Sequence, residues 1–135
     1  MRIEQEVIAQ LEEAKPRGGS TALCSFLNSD QLHIANLGDS QAVVFQEDKY
    51  IELSNLHDFK NEQERLYAEQ KGGTVINNRL EGELAVSRSI GDIKFKSYMN
   101  SEPEIASHQM TEKDDFLFLA SDGFWNVKTL LISCI

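Results

Sequence analysis

The chain has 135 residues, 41% hydrophobic and 26% charged, which suits one globular domain with a core of its own. Its 22 acidic against 13 basic side chains leave a formal net charge of -9, so no basic stripe is available to release counterions and no nucleic-acid partner is expected. No apolar run approaches the ~18 residues of a membrane span and no signal peptide precedes the first charged segment, so no membrane partner is expected either.

Residues 1–15 carry Ile3, Val7, Ile8 and Leu11 at helical spacing, and Pro16 with Gly18 and Gly19 ends the pattern. This predicts an amphipathic helix without an N-cap at its start. From 20 to 53 the pattern is that of strands, at 21–27, 32–36, 42–46 and 49–53. The separators Asn28-Ser29-Asp30, Gly38-Asp39-Ser40 and Glu47-Asp48 are turn formers, so the four read as an antiparallel meander. Alternation puts Leu32, Ile34 and Asn36 on one face, and the apolar Val43-Val44-Phe45 marks a central strand.

Residues 61–71 predict an exposed helix stopped by Gly72-Gly73. A strand at 74–76 follows, then an Asn77-Asn78 turn and a return at 79–80. Residues 93–100 read as a mixed basic and aromatic loop, and 102–105 as a strand. The two cysteines, Cys24 and Cys134, lack metal-type spacing and read as free thiols of a reducing compartment, which fits an intracellular, cytoplasmic or nuclear location. The apolar ending at 129–135 has no cap or closing turn, and truncation of a larger fold is its expected cause.

The stretch 114–125 stands apart. Two carboxylates lead into Phe116-Leu117-Phe118-Leu119-Ala120, which reads as a strand buried on both faces. Gly123 then predicts a sharp turn from which Asp122 projects at the strand end, where a carboxylate suits a hard cation.

Several motifs stand in a fixed order along the chain: Gly19-Ser20-Thr21-Ala22, Gly38-Asp39-Ser40, Glu64-Arg65-Leu66, Gly72-Gly73, the run Arg79 through Asp92 with its Ser87-Arg88-Ser89-Ile90-Gly91-Asp92, Pro103-Glu104, and Ala120-Ser121-Asp122-Gly123. Together they resemble the PP2C (PPM) family of metal-dependent protein serine/threonine phosphatases over about 19–127. The resemblance implies an α+β fold, an antiparallel β-sandwich flanked by helices, here expected to be truncated at both ends within a single partial domain over 1–135. It also implies Mg or Mn as cofactor and a phosphorylated protein as substrate.

Carried over residue by residue, the resemblance makes Asp122 a metal ligand and supplies no catalytic residue. The family's Asp-Gly-His-Gly-Gly segment, its phosphate-gripping arginine and its final Asp-Asn motif have no counterpart in this chain. Leu56 stands where the family has a further aspartate, for which Asp58 is a candidate substitute at the wrong spacing, and His57 is read as a loop histidine without catalytic duty. Asp39 and Ser40 read as turn formers, Arg88 and Asp92 as a charge-assisted pair, and 93–100 as the family's variable flap, whose lysines face a phosphopeptide or solvent. Two functions remain: hydrolysis of phosphoserine and phosphothreonine by a metal-activated water, or an inactive phosphatase-like binding module.

Overall fold

The computed structural model describes residues 2–14 and 18–127. The apolar ending at 129–135, Cys134 among it, lies outside the described residues. Helix α1 spans Arg2–Ala14 and is followed by β1 (Gly19–Ser20), β2 (Ala22–Asn28), β3 (Gln31–Leu37), β4 (Gln41–Gln46) and β5 (Lys49–Glu52). Helix α2 is Glu62–Gln70, then come β6 (Val75–Ile76), β7 (Arg79–Leu80), β8 (Ile90–Gly91), a 3-10 helix at Ile93–Tyr98, β9 (Glu104–Gln109), β10 (Asp114–Ala120) and α3 (Asp122–Trp125). Among the described residues no helix is long and apolar enough to cross a membrane.

Two three-stranded antiparallel sheets dominate, in the orders β2-β3-β9 and β10-β4-β5. Leu32 and Ile34 on β3 meet Ala42 and Val44 on β4, with Leu23, Leu53, Ala106 and Leu117 packed around them. This is the sandwich core: β4 is the middle strand of its sheet, as the apolar run at 43–45 predicts, and β3, the middle strand of the other, buries Leu32, Ile34 and Asn36 on one face, as the alternation predicts. The strands do not form a meander. β3 pairs with β2 and β9, β4 with β5 and β10, and Gly38-Asp39-Ser40 carries the chain from one sheet to the other. A local turn signal cannot tell a hairpin from a crossover, because both require the same backbone reversal.

β10 also departs from its prediction. It is an edge strand of its sheet, and Phe116 is 54% exposed rather than buried on both faces. Its outward residues instead form an aromatic row with β4: Phe45 stacks on Phe116 at 4.8 Å between ring centroids and meets Phe118 edge-on at 6.4 Å.

A second core holds Phe59, Ala68, Leu80, Phe95 and Met99. It takes α2, which buries Ala68 and Glu64, and the 3-10 helix, so 93–98 is a packed element and not a loop. Its lysines are also engaged internally: Lys94 pairs with Glu83, and Lys96 reaches Glu4 of α1 at 2.6 Å and the Ser89 carbonyl. α2 ends in a Schellman motif, with the Gly73 N–H on the Ala68 carbonyl, the Gly72 N–H on that of Glu69, and Gly72 at φ +90.

Candidate functional site

The crossover between the sheets sets one side of the site. Gly38 sits at φ +119, and a Cβ there would stand 2.3 Å from Thr21 Cγ2, so the tight passage needs glycine. Buried Asn36 donates Nδ2 to the Gly38 carbonyl and to that of Asn55. His57 clamps the same residue twice: its N–H donates to the Gly38 carbonyl at 3.0 Å, and its Nδ1 accepts the Gly38 N–H at 3.1 Å. His57 is 1% exposed, so this loop histidine is a buried structural pin. The next residue, Asp39, is thereby delivered into a cleft.

Asp58 lines the same cleft, one residue past the pin. Its Oδ1 accepts the backbone N–H groups of Lys60 and Asn61, an Asx-type turn that fixes the carboxylate. Leu56 lines the cleft as well.

Asp122 arrives from the other sheet. No glycine turn places it: β10 ends at Ala120, Ser121 stands extended at φ -78 and ψ 172, and Asp122 opens α3. The Asn126 N–H donates to the Asp122 carbonyl, and Trp125 Nε1–H donates to the Ala120 carbonyl at 2.8 Å. Helical hydrogen bonding, and not left-handed backbone at Gly123, is what turns the chain here.

Asp39, Asp58 and Asp122 thus line one cleft of about 500 Å³, with Gln41, Leu56, Lys60, Asn77, Asn78, Arg79 and Asn126 among its other walls. Burial pushes the Asp39 carboxyl up, the Asp122 charge pushes it further, Asp58 adds to this, and its own backbone N–H opposes. Of the three, the resemblance makes Asp122 a ligand and leaves Asp58 a substitute at the wrong spacing. By sequence Asp39 is a turn former, and Asp58 stands two residues past the position where the family has its aspartate.

The carboxylates are hard oxygen donors of the kind Mg and Mn take. Yet among the described residues no three His, Cys, Asp or Glu side chains lie close enough to form a metal-binding group. The donors suit such a cation in kind and fall short in number.

Arg88 does not pair with Asp92. Its Nε and Nη2 donate to the Glu64 carboxylate and its Nη1 to the Glu102 carbonyl, while Asp92 accepts from Ser89 Oγ at 2.6 Å. Glu64 also accepts from Ser87 Oγ, so Glu64, Ser87 and Arg88 lock α2 against the segment before β8.

The family model for protein phosphatase 2C matches residues 2–130. Over 130 residues the chain is 43% identical to the probable protein phosphatase 2C 17 of Arabidopsis thaliana, covering 92% of this chain and 46% of that protein. It is 35% identical over 129 residues to human protein phosphatase 1F, covering 93% and 28%. Its fold matches the structure of a C. elegans sex-determining protein with TM-score 0.86 at 28% identity, over 92% of this chain and 32% of that one. It also matches serine-threonine phosphatase 2C from Toxoplasma gondii with TM-score 0.79 at 24% identity, over 92% and 48%. The chain therefore spans less than half the length of these relatives. The sandwich, the ordered motifs and the family match agree: the chain belongs to the protein phosphatase 2C family.

Proposed function

We propose that this chain is part of a protein serine/threonine phosphatase that hydrolyses phosphoserine and phosphothreonine in protein substrates, with Mg or Mn as cofactor and Asp122 as one of its ligands. The observation that carries the reading is the convergence of Asp39, Asp58 and Asp122 on one cleft, where burial first and the Asp122 charge second hinder ionisation of Asp39. Carboxylates that repel one another at the end of a rigid sandwich are costly for the fold and useful to a cation. A bound divalent cation would supply charge neutralisation for a phosphoryl group and a lowered pKa for a bound water.

The chain's own residues do the positioning. His57 and Asn36 hold the Gly38 crossover so that Asp39 faces the cleft, and the start of α3 fixes Asp122. A second reading, a phosphatase-like binding module without turnover, is favoured by the shortage of donors among the described residues.

Mn-dependent release of phosphate from a phosphothreonine peptide by the purified chain, with Asp122→Ala as control, decides between them. Turnover that vanishes in the variant supports the phosphatase. Binding of the peptide without release in either protein supports the module.

A further inference from the structure

The cleft has a cationic wall as well as an acidic one. Lys60 and Arg79 both line it, alongside Asn77 and Asn78. Neither stands on loose chain. The Lys60 N–H is held by the Asp58 carboxylate at 2.9 Å. Asn77 and Asn78, at φ 51 and 57, form the left-handed two-residue turn that joins β6 to β7, and Arg79 pairs with Ile76 at the first position after it. Arg79 Nη1 donates to the Glu83 carbonyl at 2.7 Å, which orients the guanidinium while occupying one of its five donors.

Of the described cations without a carboxylate partner, which include Lys49, Lys71 and Lys113, only Lys60 and Arg79 line the cleft, whereas four others are paired. Arg65 pairs with Glu69, Arg88 with Glu64, Lys94 with Glu83 and Lys96 with Glu4. Among the described residues, Lys60 and Arg79 have no carboxylate partner. In a chain of net charge -9, acidic partners are plentiful, and these two are left facing what enters the cleft.

We propose that Lys60 and Arg79 receive acidic side chains flanking the phosphorylated residue of a peptide, so that the cleft prefers phosphopeptides rich in Asp and Glu around the phosphate. This rests on the phosphatase reading, which takes the phosphoryl group to lie toward Asp39, Asp58 and Asp122. A guanidinium binds a carboxylate through two parallel hydrogen bonds, and Lys60 adds a mobile point charge. At so open a site the two contacts together are worth about fivefold in affinity.

The test uses labelled peptides carrying a phosphonate analogue of phosphothreonine, which no phosphatase cleaves, flanked either by Glu or by Lys, and follows binding by fluorescence anisotropy with Mn present. The Glu-flanked peptide should bind about fivefold tighter. The ratio should fall to near one in a Lys60→Ala/Arg79→Ala variant whose circular dichroism matches the parent; both side chains are exposed, so folding is spared. Equal binding of the two peptides, binding of neither, or a ratio untouched by the double substitution overturns the proposal. A Glu-flanked peptide without the phosphonate that binds as tightly as the full ligand overturns it too. Phosphate release from an ordinary phosphopeptide is scored separately. A preserved flank preference without release counts against hydrolysis and for the cationic wall.

Discussion

The backbone N–H of Gly38 donates to Nδ1 of His57 at 3.1 Å, so the imidazole carries its proton on Nε2, 3.2 Å from Glu104 Oε2. One ring thus joins the crossover between the sheets to the start of β9. Replacing His57 by alanine strands the Gly38 N–H in a dry interior and opens a cavity. His57→Ala should cost about 3 kcal/mol in urea unfolding.

The same ring gives the fold a pH limb. Burial and the nearby Arg88 charge hold His57 below its ordinary value of 6.5, against the pull of Glu104. The unfolded chain therefore takes up the proton first. The contribution is complete above pH 6.5 and is lost as pH falls toward the folded value. The melting temperature should drop between pH 7 and 5, and the drop should be smaller in His57→Ala. A parent curve that is flat over this window contradicts the assignment.

Glu64 is pushed up by burial, but hydrogen bonds from Arg88 and Ser87 outweigh this and leave it below its usual 4.5. Its stabilisation is present above pH 4.5 and disappears as pH falls through the folded value. Glu64→Ala leaves Arg88 inside the protein without its carboxylate and should cost about 3 kcal/mol, read by denaturant midpoint at neutral pH.

Removing the Asp122 charge relieves Asp39. In Asp122→Asn the Asp39 carboxyl should titrate at lower pH than in the parent, as followed by carboxyl carbon NMR. The variant should also gain about 0.5 kcal/mol of stability in metal-free buffer while losing any Mn-dependent turnover. An unmoved Asp39 titration means that the two carboxylates do not sense one another.

Gly38→Ala tests the crossover itself. At φ +119 a Cβ is strained by the backbone and collides with Thr21, so about 3 kcal/mol of destabilisation is expected. Thermal unfolding of the variant against the parent measures it.

The elements were readable from the chain where one local rule governs them. The inward face of β3 follows from alternation at Leu32, Ile34 and Asn36, and the end of α2 from its glycine pair. What escaped was tertiary. Asp39 was recognised as part of a turn, yet only the crossover between two sheets brings it beside Asp58 and Asp122. The apolar run at 116–120 implied two covered faces, yet β10 lies at the edge of its sheet with Phe116 exposed. Arg88 found Glu64, 24 residues away in sequence, and not the nearby Asp92. The residues at 93–98 hid their packing because a 3-10 helix has no sequence period as plain as that of an α-helix.

Trp125, the chain's single tryptophan, sits three residues after Asp122, its ring edge-on to Phe118 and Phe124 and its indole N–H tied to the Ala120 carbonyl. Its emission therefore comes from one known corner of the molecule. Any ion or phosphopeptide that reorders the turn at Asp122 changes the light this ring gives off, and the protein carries its own optical probe in the lining of the cleft.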